Sequence, residues 1–395
     1  MNGKDLNLTE MKEITSRRLS LLILCYEYPP LGGGGGRVAA QVASALSQRG
    51  HNVRVVTGGM SHLPKQSIID GIEVRRVNSG RRREDTCSVF EMLLWVLIAL
   101  PVTLKVVEKQ KLDIIHAHFA VPTGLVAWLV HLLTGIPYVL TAHLGDVPGG
   151  VPEQTGLLFK IVKPLTVPLW KRAASVTAVS SFVANLAKKA YGIDPQVILN
   201  GINLPEKMVE KNSTTPQLLM VGRLSIQKNS LLAIQALARL RELSWNLKII
   251  GDGPLRSSLQ KEIDRENLSD RVKLMGWASG SEVEAAMQEA DILLMPSLSE
   301  GLPMVGVEAL AHGLAIVGSD IGGLHDVVEN KKNGQLFNLA GGADAMAGAL
   351  RPFLEDSKLL KKAQQASLSK AKAFELSHSI DQYEEVFGYR KIPYN

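Results

Sequence analysis

The feature that most restricts the fold is a repeated alternation of short apolar runs with longer amphipathic stretches. Residues 19–25 read Leu-Ser-Leu-Leu-Ile-Leu-Cys, and comparable runs follow at 52–57, 72–77, 112–115, 138–141 and 175–179. None alternates polar with apolar residues, as a strand with one wet face would. They therefore predict parallel strands covered on both sides. Helical stretches lie between most of them, beginning with 37–48, so the first half predicts a βαβ series with right-handed crossovers. The polar stretch 203–216, which holds Pro205 and Pro216, interrupts the pattern and predicts a linker. A second series of runs follows at 217–221, 247–250, 272–275, 292–295 and 315–318, and 342–388 reads as helical. The expectation is an α/β chain of two tandem domains, with a deep cleft between them as the natural ligand site.

Composition removes several alternatives. With 46% hydrophobic and 21% charged residues over 395 positions, the chain can bury a substantial core and is not disordered. Cys25 and Cys87 are the only cysteines, which excludes a disulfide scaffold and a cysteine-rich zinc site and suits a reducing, cytoplasmic compartment. Residues 1–200 carry 22 Lys and Arg against 14 Asp and Glu, whereas the remainder carries 22 against 24. A basic first half points to a phosphate-rich partner. No RNA-binding signature or zinc finger is present, so nucleic acid is not the expected partner. The first 18 residues are polar and charged, and the apolar run after them lacks a small-residue cleavage site, so no signal peptide is expected. The most apolar stretch, 92–104, is interrupted by Pro101 and is shorter than the ~20 residues a membrane span needs.

Four motifs carry chemistry. The loop Gly32-Gly33-Gly34-Gly35-Gly36-Arg37 follows the first strand and opens a helix, where bare backbone amides can approach an anion. It is not a Walker loop, and no acidic residue ends the second strand, so a nicotinamide dinucleotide is disfavoured. Histidines cluster at the ends of parallel strands, in His116-Ala-His118 and His143-Leu-Gly-Asp146. They lack the spacing and third ligand of a zinc site, and each taken alone is more often structural than functional, with His143 the strongest candidate because Gly145 and Asp146 suggest a loop over the site. Arg223 and Lys228 share a strand-to-helix loop, where a guanidinium fork and an ammonium can converge on a diphosphate; two solvated charges are the plain alternative. Ser299-Glu300-Gly301-Leu302-Pro303-Met304 leads into a helix bearing Glu308, and this spacing suits ligand holding better than glycoside hydrolysis. Helix capping by Glu300 is the plain alternative there. No nucleophile elbow or Cys–His signature is present.

Taken in order, the glycine loop, Asn200-Gly201, Gly222-Arg223…Lys228, Gly251-Asp252-Gly253-Pro254 and Glu300…Glu308 resemble the retaining glycosyltransferases of family four over about residues 19–388. The resemblance implies two tandem Rossmann-like domains (GT-B): a tail over 1–18, an acceptor domain over 19–202, a linker over 203–216, a nucleotide-sugar domain over 217–375, and a terminal helix over 376–395 returning to the first domain. It implies a hexosyltransferase that retains anomeric configuration through same-face attack assisted by the leaving phosphate. The donor would be a nucleotide-diphosphate sugar, used as a substrate, with neither cofactor nor metal required. Arg223 and Lys228 would hold the diphosphate. Glu308 would hold the ribose, and Glu300 with the amides of Gly301, Leu302, Pro303 and Met304 the transferred sugar. Gly276 would border the base. His143 would touch the sugar near its reacting carbon, with Gly34 and Gly35 near donor phosphate. Gly33, Arg37, His118 and Asp146 are acceptor-side candidates. Asn203, Asn229, Ala315 and the pair His325-Asp326 depart from the usual pattern, which bears on donor identity and loop shape and leaves the choice between GDP-mannose and UDP-hexoses open.

The acceptor is expected to be a glycan or a lipid-linked glycan of a polysaccharide or cell-envelope pathway. Arg81-Arg82-Arg83 precedes the apolar stretch 92–104, and Lys160, Lys163, Lys171 and Arg172 accompany a second apolar segment over 157–170. Such a combination suits peripheral docking on an anionic membrane surface, with a buried core helix as the equal alternative for 92–104. Two other functions share the same motifs: a nucleotide-sugar epimerase or hydrolase, and a non-catalytic nucleotide-sugar-binding protein.

Overall fold

The structure is a computed structural model, and it describes residues 18–84, 87–150, 163–164, 166–205 and 214–388. The expected tail (apart from Arg18), the core of the expected linker at 206–213 and most of the apolar segment 157–170 therefore lie outside the described residues. The chain forms two compact units, Met1–Gly201 with Leu376–Asn395, and Ile202–Glu375.

The first unit is built on an eight-stranded sheet. Its strands are β1 (Ser20–Cys25), β2 (Asn52–Gly59), β3 (Gln66–Ile69), β4 (Ile72–Asn78), β5 (Ile114–His118), β6 (Tyr138–Ala142), β7 (Ser175–Ala178) and β8 (Gln196–Val197), in the order β3-β4-β2-β1-β5-β6-β7-β8. Every neighbouring pair is parallel except β3 with β4. Leu21 to Cys25 are wholly inaccessible, as the continuous apolar run requires of a strand covered on both faces. The glycine-rich helix spans Gly34–Gln48, three residues earlier than the apolar period suggested.

The strand expected at 112–115 forms two residues later. Asp113 is held outside it: its amide donates to the Ser20 carbonyl at 2.9 Å and its carboxylate accepts the Ser20 amide at 2.8 Å. The shift matters, because it puts His116 inside β5 and His118 at its last position, on the same face. Strand β3 escaped detection because it lies at the edge and leaves Ile68 78% exposed, so it shows no apolar run.

The stretch 92–104 belongs to one helix, Val89–Lys109, which continues through Pro101. The proline lies on the exposed side, where water can satisfy the carbonyl that loses its partner. A capping box at Ser88 and Glu91 starts this helix. Among the described residues it is the one helix long and apolar enough to cross a membrane.

The second unit carries six parallel strands, β9 (Gln217–Val221), β10 (Asn246–Ile250), β11 (Val272–Gly276), β12 (Ile292–Met295), β13 (Ala315–Ser319) and β14 (Gly334–Phe337), ordered β11-β10-β9-β12-β13-β14. Loops that face one way gather at the carboxyl ends of β9, β10, β11 and β12.

The last helix, Leu376–Gly388, belongs to the first unit. A Cβ at Gly201 would stand 2.5 Å from the Leu376 Cα, so the Asn200-Gly201 motif lets this segment cross close by. Ser379 donates to the Leu199 carbonyl at 2.7 Å, and Arg49 pairs with Asp381 and Glu384. Tyr383, 1% exposed, lies with its ring 5.0 Å from that of His116. Replacing a fully buried aromatic side chain by alanine costs about 3–5 kcal/mol. Tyr383→Ala is therefore expected to lower the melting transition of the first unit and leave that of the second in place, measured by differential scanning calorimetry.

Candidate functional site

In the second unit the strand ends are knit through glycines. A Cβ at Gly251 would lie 1.9 Å from the Gly222 carbonyl oxygen, and one at Gly253 would lie 2.5 Å from that of Leu224. Both glycines also have positive φ, 140° and 155°, so a larger residue would be strained twice over. The Gly251 amide donates to Gly276 at 2.7 Å, and the Gly222 amide to Ile250 at 2.9 Å. Beside Gly276, Trp277 is 72% exposed.

These contacts place the loop carrying Arg223 and Lys228. Asn229, where glycine is usual, adopts φ 50°, a left-handed conformation that asparagine tolerates better than other side-chain-bearing residues. The departure noted in the sequence thus preserves the backbone. Gln227, which sequence reasoning missed, ties this loop to the next: its carbonyl accepts from the Leu298 amide at 2.7 Å and its side chain donates to the Ser299 carbonyl at 3.0 Å. Lys228 Nζ then donates to Glu300 Oε1 at 2.6 Å, with the carboxylate side chain only 8% exposed. Gly222, Lys228, Ser230, Pro296 and Ser297 line a pocket at this end of the sheet.

Glu300 does not cap the following helix, Met304–Ala311, whose N-cap is Pro303 and which receives no side-chain cap. Its first turn also lacks an acidic residue, so no side chain of its own first turn offsets its N-terminal positive potential. Gly301, Leu302 and Pro303 are buried, Met304 is half-buried, and Glu308 is half-buried in the second turn of that helix. Gly323 packs against the Gly301 carbonyl, where a Cβ would stand at 1.7 Å, and its amide donates to the Glu300 carbonyl at 3.1 Å.

In the first unit the glycine loop rests on Glu27, Phe119 and His143. Gly32 and Gly36 sit on Glu27, whose carboxylate accepts the Gly33 amide at 3.0 Å. A Cβ at Gly35 would meet the Phe119 ring at 2.4 Å and His143 Nδ1 at 3.3 Å. At Gly33 and Gly34 a Cβ would meet nothing within 4 Å, so no contact within the described chain demands glycine there. Arg37 projects from the first turn of the helix and is exposed.

His143 is stacked on Phe119, with ring centroids 4.2 Å apart, and its Nε2 lies 3.4 Å from His118 Nδ1. Phe119 and Glu27 were not singled out from sequence, although each adjoins a motif that was. Asp146, an acceptor-side candidate, points inward: Oδ1 accepts the Ala120 amide and Oδ2 the His143 amide, both at 2.8 Å. It clamps the ends of β5 and β6 together. His118 is likewise fully buried, against His116 and His143.

The basic cluster 81–83 is corrected by the structure. The Arg81 side chain is inaccessible, its Nε donating to the Arg83 carbonyl at 2.9 Å and its Nη2 to the Glu84 carbonyl at 3.0 Å. It sits over the Tyr26 ring at 5.2 Å and near Glu27, and so braces the glycine loop; only Arg82 and Arg83 are exposed. At the end of the segment 157–170, Leu169 and Trp170 are core residues.

Comparison with known proteins covers both units. The family model for glycosyltransferase family 4 matches residues 32–206, and that for glycosyl transferases group 1 matches residues 205–370. The chain is 25% identical to the N-acetyl-alpha-D-glucosaminyl L-malate synthase of Bacillus anthracis, with 94% of this chain and 97% of that one aligned. It is 31% identical to the putative teichuronic acid biosynthesis glycosyltransferase TuaC of Bacillus subtilis over 63% of this chain and 64% of that one. Among solved structures, the sucrose-phosphate synthase of Thermosynechococcus elongatus superposes with a TM-score of 0.82 at 19% identity, covering 94% of this chain and 98% of that one. Anabaena HepE in complex with UDP-glucose superposes at 0.72 and 19% identity, covering 94% and 100%. Both units thus have the GT-B construction of paired Rossmann-like domains.

The buried histidines set a pH dependence. Burial pushes His116 down to about 3 and His143 to about 4, and holds His118 well below its ordinary value. Burial pushes Asp146 the other way, up to about 7, against the backbone amides that favour its charge. A histidine depressed in the folded state leaves stability intact above its unfolded value and removes it as pH falls, because the unfolded chain takes up the proton first. Asp146 acts oppositely between its ordinary value and about 7. Three groups outweigh one, so the melting midpoint of the first unit is expected to fall as pH drops from about 6.5 toward 4. Calorimetry across that range checks this, and a flat profile would show that the histidines are not held neutral.

Proposed function

The chain belongs to the glycosyltransferases of group 1 and family 4, and on that premise we propose that it moves a hexose from a nucleotide-diphosphate sugar to a glycan or lipid-linked acceptor, with retention of anomeric configuration. The carrying observation is the meeting of Lys228 and Glu300 at 2.6 Å where the loops after β9 and β12 are tied together by Gln227. A cation and a carboxylate at the carboxyl ends of parallel strands, next to an uncapped helix N-terminus, suit a ligand with both anionic and hydroxylic parts. In this reading Lys228 and Arg223 stabilise the departing diphosphate, Glu300 and the amides of Gly301 to Met304 orient the sugar, and Glu308 holds the ribose. Gly276 borders the base. No metal is assigned to the leaving group.

The first unit supplies the acceptor side. Gly33 and Gly34 leave room for a substrate to approach the backbone, and His143, kept neutral by burial, offers hydrogen bonding to sugar hydroxyls in place of charge. Charge stabilisation therefore falls to Arg223 and Lys228. Relatives named for glucosyl and galactosyl transfer, and HepE solved with UDP-glucose, support a hexose donor on a nucleotide diphosphate. On this reading the reaction belongs to the cytoplasm and to assembly of polysaccharide or cell-envelope glycoconjugates, as a relative named for teichuronic acid biosynthesis supports, and a lipid-linked acceptor would bring it to an anionic membrane surface.

The first test is thermal shift of the purified protein against UDP, GDP, ADP and their sugar conjugates, followed by transfer assays with the stabilising donor. One nucleotide series is expected to raise the melting midpoint, since binding to the folded state alone stabilises it. Lys228→Ala is expected to reduce turnover by roughly 10²–10³, the range for removal of one charge-stabilising group. Nucleotide release that never requires an acceptor would favour the epimerase or hydrolase reading.

Glu300→Gln separates binding from transfer. Glu300 pairs with Lys228, so an incoming diphosphate competes with that carboxylate. The variant is expected to bind the free nucleotide diphosphate several-fold more tightly by calorimetry, while losing transfer activity.

A further inference from the structure

We propose that Gln227 is a positioning residue for the transfer step, acting through Lys228 and Glu300 to hold the phosphate and sugar ends of the donor at one fixed separation. The proposal rests on the donor-site reading above and adds the residue that sets the dimensions of that site.

The local backbone gives Gln227 its place. Ile226–Lys228 is a single 3₁₀ turn, opened at Ser225 and closed by Asn229 in its left-handed conformation. The Lys228 amide donates to the Ser225 carbonyl and the Asn229 amide to that of Ile226, both at 3.1 Å. Successive side chains of such a turn diverge by about 120°. Ile226 is therefore left 72% exposed, while Gln227 and Lys228 are half-buried and reach the loop that carries Glu300.

The contact between the two loops is bonded in both directions. The Gln227 carbonyl accepts from the Leu298 amide at 2.7 Å, and its Nε2 donates to the Ser299 carbonyl at 3.0 Å. One residue farther along each strand of chain, Lys228 Nζ donates to Glu300 Oε1. The Glu300 end is anchored separately, since its carbonyl accepts the Gly323 amide and Ser297 beside it is buried. An ammonium on a flexible four-carbon stem has no fixed position of its own. The Gln227 bridge brings the backbone of Lys228 to the anchored loop and so limits where that ammonium can stand.

The carboxamide is the part that matters. Methionine at this position would keep the length and leave the Ser299 carbonyl without its donor. Glutamate would set a carboxylate against that carbonyl and would compete with Glu300 for Lys228. A free nucleoside diphosphate needs only the cationic end of the site, whereas transfer needs both ends in register, and a misplacement of about 1 Å can cost 10²-fold in rate.

The test uses the full chain, with whichever of UDP, GDP and ADP stabilises it as the binding probe and the sugar conjugate of that nucleotide as donor. Gln227→Met is expected to lower kcat by on the order of 10²-fold, with the calorimetric affinity for the free diphosphate held within about threefold. Gln227→Glu is expected to transfer more slowly still. A side chain that merely filled space would leave the methionine variant close to wild type, and that result overturns the proposal. So does a methionine variant that loses diphosphate affinity and kcat by the same factor. Combining Gln227→Met with Glu300→Gln gives an independent reading: a double variant no slower than Glu300→Gln alone supports action through Glu300, and additive losses overturn it. Lys228→Ala separates the two levels of the argument. If it cripples transfer while Gln227→Met does not, this proposal alone fails; if it leaves both binding and transfer intact, the donor-site reading fails with it.

Discussion

The candidate donor site depends on backbone coming closer to backbone than a side chain allows. Gly251 lies against the Gly222 carbonyl, Gly253 against that of Leu224, and Gly323 against that of Gly301. Only with those three Cβ atoms missing can the loops after β9, β10, β12 and β13 converge. Once they do, hydrogen bonds hold them: Leu224 to Asp252 at 2.8 Å, and Leu255 back to Leu224 at 3.0 Å. The Gln227 bridge then fixes the spacing that lets Lys228 reach Glu300. A salt bridge of partly exposed groups adds little stability by itself. Here its value is positional, because it holds two oppositely charged groups side by side at the carboxyl ends of β9 and β12.

The first unit adds side chains to the same device. The Glu27 carbonyl stands against Gly36 and its side chain under Gly32, Phe119 fills the space under Gly35, and Asp146 ties the ends of β5 and β6 together. Burying a carboxylate is costly unless its oxygens are bonded, and Asp146 has a backbone amide on each. The three neighbouring histidines are kept uncharged by the same burial. The geometry therefore separates two kinds of chemistry: fixed charge at the ends of β9 and β12, and neutral hydrogen bonding at the ends of β5 and β6.

Much of this was legible in the sequence, because central parallel strands leave continuous apolar runs and strand-to-helix loops leave glycines. Strands β1, β9 and β12 and the motifs around Lys228 and Glu300 announced themselves in that way. The missed residues share a different trait. Gln227, Glu27 and Phe119 act through contacts set by the fold, and nothing in their local spacing marks them. Arg81 shows the converse. Its place in a run of three arginines suggested a solvated basic patch, yet a cation whose guanidinium meets two carbonyls and an aromatic ring can be buried. A run of like residues does not divide its members between surface and interior; the turn that follows does.

The Val89–Lys109 helix was the least legible element, for a related reason. Hydropathy sums over all sides of a helix, so a stripe packed inward and a stripe left outward add to one strong apolar signal. Sequence alone therefore left a core helix and a membrane-facing one as equals, and the structure shows one helix with a buried apolar face and an exposed one. Its inner face also joins the glycine loop indirectly. Trp95 packs on Tyr26, Arg81 covers that same Tyr26 ring and reaches toward Glu27, and Glu27 carries the Gly33 amide. The outward stripe and the proposed acceptor loop are thus supported by one buried cluster. A substitution at Tyr26 or Arg81 acts on both at once, whereas one at Phe90, Leu93 or Leu97 acts on the surface alone.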